Sequence, residues 1–116
     1  MTTPAAGLPG RWFGGWRLVR VRGRSMAPLL GDGDYVLLRR YSRSRPPRSG
    51  DVACIARVGQ PLLIKRLAGR HEDGRFRLSG DGAASAPSID LGLAAEHEII
   101  GWAVISVSGN RVRVVR

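Results

Sequence analysis

The sequence predicts a mostly β fold: a small antiparallel, partly closed barrel, or two packed sheets, of about seven short strands. No stretch of a dozen residues keeps a helical period, and every strong apolar segment is short. Sixteen glycines and seven prolines supply turn signals between these segments. The chain has 116 residues, 43% of them hydrophobic, which is enough for one core. We therefore expect a flexible leader at residues 1–15 and a single β domain at residues 16–116.

Alternation of apolar and polar residues, together with the turn residues, places the strands in order. The first is expected at 16–22, where the alternation slips at Leu18–Val19 and indicates a bulge. The others are expected at 35–41, 51–58, 61–68, 75–79, 99–107 and 111–115. Ser108-Gly109-Asn110 separates the last two and is typical of a hairpin turn. Residues 80–98 form a Gly/Ala/Ser-rich loop whose length in so small a domain indicates a functional role.

The formal net charge of +10 predicts attraction to polyanions and says nothing about the fold. The densest basic stretch is 39–50, with five arginines, but it lacks a nucleic-acid motif and carries few aromatic residues. A solvated loop is therefore favoured, and nucleic acid is not expected as a partner. Trp12, Phe13 and Trp16 beside arginines leave peripheral contact with an acidic membrane surface open, although docking onto the core is the commoner use.

Cysteine and histidine usage predicts a protein without a metal or another cofactor. The single cysteine, Cys54, excludes an internal disulfide and lies in an apolar strand. His71 and His97 lack metal-ligand spacing. No run approaches the ~20 apolar residues of a transmembrane helix, and the start lacks the features of a secretory signal. We therefore expect a soluble cytoplasmic protein.

Lys65 is the only lysine among 19 basic residues, and it lies in the segment PLLIKRLAG. In a strand it would share a face with Leu63 and Leu67. An ammonium group loses its proton readily when it is desolvated, whereas a guanidinium keeps it. Lys65 is therefore a candidate general base; the alternative is a structural lysine that reaches solvent or pairs with an acid.

Ser25 is a candidate nucleophile in the segment RGRSMAP. Gly23 permits close approach of the backbone, and Pro28 stops the segment from continuing as a strand. A serine in such a turn exposes its hydroxyl group. The alternative role is a cap at the start of one helical turn.

The segments VRGRSMAPLLGDGDYVLL, RSGDVACI, LLIKRLAG, LSGD and IIGWA, in this order, resemble the bacterial type I signal peptidases and the related self-cleaving LexA-like proteases. The resemblance covers about residues 21–103. It implies a β-rich protease core in which Ser25 is the nucleophile and Lys65 the general base. It also implies an oxyanion held by the backbone N–H of Ser25, with support near Gly23. Among short, Arg-rich relatives, the maturation proteases of nickel-containing superoxide dismutase are the group suggested here.

The last segment departs from the signal peptidase pattern of Gly-Asp-Asn followed by Ser-x-Asp-Ser-Arg. Gly82 replaces the Asn, and no Ser-Arg follows Asp90. Ser88, with Asp90, matches Ser-x-Asp best and would orient Lys65; Ser85 takes that role if the loop is gapped differently. The missing Arg leaves open how this loop is supported.

The sequence thus predicts a soluble serine endopeptidase with a Ser–Lys dyad. It would bind a precursor polypeptide as an extended strand and trim a leader from it. Two other functions stay open. One is a non-catalytic basic β-barrel module that binds nucleic acid or acidic lipid; the other is a protease that uses Cys54 with a histidine.

Overall fold

Eight short strands form one open sheet in the computed structural model of the protein, which describes residues 12–81 and 92–116. The strands are β1 (Trp16–Arg20), β2 (Tyr35–Arg40), β3 (Val52–Ile55), β4 (Leu63–Arg70), β5 (Phe76–Ser79), β6 (Leu93–Ala94), β7 (Ile99–Ser108) and β8 (Arg111–Val114). A short 3-10 helix, Glu96–Glu98, precedes β7. Every strand pair is antiparallel. The predicted mostly β, antiparallel fold is confirmed, and its strands lie in one sheet that does not close.

The long strand β7 joins the parts of the sheet. The strand order is β1-β2-β7-β3-β4-β5-β6, and β8 pairs with β7 outside this path. The start of β7 pairs with β3, its middle with β2 and its end with β8. The β7–β8 pair is the hairpin that the sequence predicts around Gly109.

The sheet curls strongly, which brings β1 and β4 to the same hydrophobic cluster. Three strands separate them, so they would lie about 19 Å apart in a flat sheet. Yet Ile64 of β4 packs against the cluster that contains Val19 of β1. This first cluster comprises Val19, Val21, Met26, Leu30, Val36, Leu38, Val52, Cys54 and Ala103.

The opposite face of β3 and β4 supports a second cluster. It comprises Ala53, Ile55, Leu67, Phe76, Leu78, Ala94 and Ile99. Successive residues of β3 alternate between the two clusters, as the period of two in a strand requires. All four residues of β3 are consequently buried.

Two local predictions differ from the structure. The bulge predicted at Leu18–Val19 is wrong, because β1 pairs with β2 without a register shift. The side chains of β1 alternate regularly between the two faces. Arg17 lies on the same inward face as Val19, whereas Leu18 lies on the outward face. In addition, β6 and the 3-10 helix lie within the span 80–98 that the sequence predicts to be a loop.

The described part of the predicted leader, residues 12–15, contacts the domain. Phe13 and Trp16 exchange backbone hydrogen bonds of 2.8 and 3.0 Å, and Trp12 packs against the first cluster. Residues 1–11 lie outside the described residues, so the division of the chain at residue 15 stays a prediction. Within the described ranges, no helix is long and apolar enough to cross a membrane.

Candidate active site

The turn that carries Ser25 is fixed at both ends. Backbone hydrogen bonds of 2.8 Å, from Val21 N–H to the Asp34 carbonyl and from Gly33 N–H to the Val21 carbonyl, close the segment between β1 and β2. Within it, Met26 and Leu30 are 2% and 0% exposed and pack in the first cluster. The residue next to Ser25 thus anchors the turn to the core.

The hydrogen bonds of this turn do not support a capping role for Ser25. The Ala27 N–H donates to the Arg24 carbonyl at 3.0 Å, and the Leu30 N–H donates to the Met26 carbonyl at 2.9 Å. The Ser25 hydroxyl has no hydrogen bond to a residue in the described ranges, and the same holds for the backbone N–H groups of Arg24 and Ser25. Among the described residues, nothing therefore occupies these two adjacent N–H groups, which could bind an incoming carbonyl oxygen.

Gly23 shapes this turn, but its own N–H group is already occupied. Its φ of +84° lies in the left-handed region that favours glycine. Its N–H donates to Asp32 Oδ1 at 2.7 Å. The support near Gly23 therefore stays a prediction, and the next N–H group along the chain, that of Arg24, has no hydrogen bond in the described ranges. No sequence pattern indicated the Arg24 N–H group or the hydrogen bond from Gly23 to Asp32.

Lys65 lies on the face of β4 that carries the second cluster and is 8% exposed. It stands opposite Ala53 in the β3–β4 ladder and shares its strand face with Leu63 and Leu67, which pack in or against the second cluster. It forms no ion pair with any described residue. Burial lowers the pKa of Lys65 because desolvation disfavours the charged ammonium. This environment differs from that of a lysine reaching solvent or pairing with an acid.

Ser25 and Lys65 line the same pocket, which has a volume of about 910 Å³. Its wall includes the apolar residues Met26, Leu62 and Ile64. The edge of β4 beside this pocket is partly free: β5 pairs with β4 only from Arg66 onward, so residues 63–65 have a strand partner on the β3 side alone within the described ranges. An extended peptide could hydrogen-bond to that edge.

The loop that follows β5 contains the remaining predicted residues. Gly82, Ser85, Ser88 and Asp90 lie outside the described residues, so their supporting roles stay predictions. The start of the loop is held by Arg66, whose guanidinium donates to both oxygens of Asp81 at 2.8 and 2.6 Å. Arg66 also donates to the Gly50 carbonyl at 2.7 Å. The Arg66–Asp81 ion pair therefore supports the start of the loop, although the arginine of the signal peptidase pattern is missing after Asp90.

Three of the five arginines in the Arg-rich segment 39–50 make side-chain contacts within the domain; one of them, Arg40, lies 5.8 Å from the centroid of the Trp12 ring. Arg45 makes two 3.0 Å hydrogen bonds to Asp51 and lies 4.3 Å from the centroid of the Trp102 ring. Arg39 donates to the Gly14 carbonyl at 2.9 Å and lies over Trp16. These contacts favour a structural role for part of the loop over a free polyanion-binding surface.

Cys54 is poorly placed to act as a nucleophile. It is fully buried in β3, and burial raises the pKa of its thiol to about 12. A reactive thiol instead requires a stabilised thiolate and access for the substrate. The described geometry therefore favours Ser25 over Cys54.

Comparison with known proteins identifies a family for this chain. The family model for Peptidase S24-like proteins matches residues 9–104, which include every strand from β1 to β6 and the first half of β7. No match was found among curated proteins or among solved structures. On the strength of the family model, which spans most of its length, the chain belongs to the Peptidase S24-like family.

Proposed function

We propose that the chain is a Ser–Lys endopeptidase in which Ser25 is the nucleophile and Lys65 the general base. The observation that carries the proposal is that both residues line one pocket, where Lys65 is buried and has no acidic partner in the described ranges. Membership of a peptidase family supports peptide hydrolysis in general. The dyad itself rests on the pocket, the burial and the resemblance.

A buried lysine that has no acidic partner among the described residues suits the first proton transfer. Neutral Lys65 accepts the proton of the Ser25 hydroxyl while Oγ attacks the scissile carbonyl carbon and the carbonyl oxygen becomes an oxyanion. The N–H groups of Arg24 and Ser25, which have no partner in the described part of the chain, are adjacent donors for that oxyanion. The lysine ammonium then protonates the leaving amine as the C–N bond breaks, which leaves an acyl-serine.

The second half of the cycle uses the same base. Lys65 takes a proton from water, the resulting hydroxide attacks the acyl carbon, and the proton returns to Ser25 Oγ as the ester bond breaks. Lysine can perform both transfers only if its amine is neutral at the working pH. The desolvation that lowers the pKa of Lys65 favours this state.

The partly free edge of β4 supports an extended substrate. Residues 63–65 offer backbone groups to a peptide added as a strand, and the pocket beside them receives alternate side chains. We propose that the peptide is a precursor polypeptide from which a leader is trimmed, as the resemblance to signal peptidases and to the nickel superoxide dismutase maturation group suggests.

The dyad is tested with three variants of the full chain and a proteome-derived peptide library as substrate. Cleaved bonds are identified by mass spectrometry. Ser25→Ala and Lys65→Arg should each reduce cleavage at least about a thousandfold, because neither alanine nor a permanently charged guanidinium can replace the lost group. Ser79→Ala, a serine of β5 outside the pocket lining, is the matched control and should cleave normally. Persistent cleavage by Ser25→Ala or Lys65→Arg would show that the dyad is wrong.

A further inference from the structure

Arg17 occupies a core-facing position on β1, which is unusual for a charged residue. Side chains alternate along a strand, so Arg17 shares its face with Val19 and Val21, which are 2% and 6% exposed. Leu18, on the opposite face, is 36% exposed. A cation on the inner face of a sheet ordinarily has an anionic or hydrogen-bonding partner.

The described residues do not supply such a partner. The Nε atom of Arg17 is buried and makes no hydrogen bond, and the side chain forms no ion pair in the described ranges. Its guanidinium lies 5.7 Å from the centroid of the Trp12 ring. That contact holds one face of the guanidinium but leaves the in-plane Nε–H donor unused.

Arg17 lines the same pocket as Ser25 and Lys65. Among the residues that the structure describes, the charged members of the pocket wall are Arg17, Arg22 and Lys65, and none is Asp or Glu. The nearby Asp32 and Asp34 accept hydrogen bonds from backbone N–H groups of their own loop at 2.7 and 2.8 Å. In the part of the chain that the structure describes, the pocket therefore combines an apolar wall with cationic groups that have no anionic partner.

We propose that Arg17 determines specificity by binding a carboxylate of the substrate, so that the enzyme favours peptides with an acidic residue close to the scissile bond. The inference rests on the proposed endopeptidase function and adds the substrate class. A guanidinium with a free Nε–H can form two parallel hydrogen bonds with a carboxylate. The same chemistry is offered by an Asp or Glu side chain and by the new C-terminus of a cleaved product.

Binding is measured first, with the uncleaving Ser25→Ala chain and two pools of acetylated, amidated octapeptides. The pools are identical except that one has Glu and the other Gln at alternating positions, and Asp and Glu are excluded elsewhere. The Glu pool should bind about tenfold more tightly, as expected for a charge-assisted bidentate contact. Because this comparison leaves Arg17 unchanged, equal binding of the two pools would overturn the proposal even if variants at that position do not fold.

Two further comparisons show which residue causes the Glu preference and which carboxylate of the peptide it binds. Adding Arg17→Gln should reduce the Glu preference to less than about twofold. Adding Arg20→Gln should leave it unchanged, because Arg20 lies on the outward face of the same strand, over Tyr35. A Gln pool with free C-terminal carboxylates should bind no better than its amidated form if the side-chain carboxylate is the ligand. If this pool alone binds tightly, or if the two amidated pools bind equally, the substrate preference is overturned.

Cleavage of the same amidated pools by the unchanged chain separates this inference from the proposed function. Equal cleavage of both pools would keep the endopeptidase and overturn the role of Arg17. A Glu preference in binding without cleavage of either pool would overturn the endopeptidase and keep the carboxylate site. Preferential cleavage of the Glu pool, lost in Arg17→Gln, is the result that supports both.

Discussion

Replacing Lys65 by methionine should stabilise the fold while it abolishes the proposed activity. Lys65 is 8% exposed and has no acidic partner in the described ranges, so its charge is desolvated without compensation. Methionine keeps an unbranched chain of similar length among Leu63 and Leu67 and carries no charge. The free energy of unfolding of Lys65→Met should therefore exceed that of the unchanged chain at neutral pH.

The magnitude follows from the lowered pKa of Lys65. Each unit of difference between the unfolded pKa of ~10.4 and the folded pKa corresponds to about 1.4 kcal/mol. Between the two pKa values, the unfolded chain binds more protons than the folded chain, so the stability of the lysine form rises with pH. The pH-dependent advantage of methionine is therefore full below the folded pKa and vanishes above about pH 10.4.

The assay is urea unfolding of the unchanged chain and of Lys65→Met from neutral pH to pH 11. Arg43→Met, at an exposed arginine, is the control and should show a stability difference that does not change with pH over this range. The pH dependence of kcat/KM supplies an independent pKa for the base. The difference between ~10.4 and that pKa, multiplied by about 1.4 kcal/mol per unit, should equal the pH-dependent part of the stability gained by Lys65→Met. A methionine variant less stable than the lysine form, or a gain that does not shrink at alkaline pH, would refute a desolvated neutral base.

Three further predictions concern the surroundings of the pocket. Asp51→Asn should lower the free energy of unfolding by about 2–3 kcal/mol, because Asp51 accepts one hydrogen bond from Tyr41 and two from Arg45. Burial opposes ionisation of Asp51, but these hydrogen bonds lower its pKa. Urea unfolding should therefore show the stability difference between the two chains closing as pH falls below about 4. Met26→Ala should lower the free energy of unfolding by about 2–5 kcal/mol and should lower kcat, because it loosens the turn that carries Ser25. Met26→Leu should change both quantities little. Urea unfolding measures the first quantity and peptide cleavage the second. Iodoacetamide should leave activity intact and label Cys54 only in urea, as followed by mass spectrometry, because the thiol is fully buried with its pKa raised to about 12. Labelling of the folded chain with loss of activity would contradict the assignment to serine.

Local pattern was sufficient for most of the fold. Short apolar runs between Gly and Pro gave seven strands within a few residues of their observed bounds, since each run is long enough to show alternation. The two-residue strand Leu93–Ala94 carries no such pattern, and its pairing with Phe76 and Arg77 is a contact between distant parts of the chain. Arg17 misled the prediction for β1, because an arginine on the inner face reads as a break in the alternation.

The candidate site was only partly readable from the sequence. Ser25 and Lys65 could be singled out by residue type and by the order of the surrounding segments. Their common pocket depends on the curl of a sheet in which three strands separate β1 from β4, and no local pattern specifies that curl. The burial of Arg17 Nε without a hydrogen-bond partner in the described ranges, and the bond between Gly23 and Asp32, likewise exist only after the chain has folded.

The position of β7 also determines how the nascent chain can acquire its core. Strand β7 pairs with both β2 and β3, and it is made after the other strands that carry the two clusters. Until residues 99–108 have left the ribosome, β2 and β3 each present an unpaired edge beside apolar side chains. Such edges favour association with other chains, so we expect the nascent chain to be most prone to aggregation in the interval before β7 emerges.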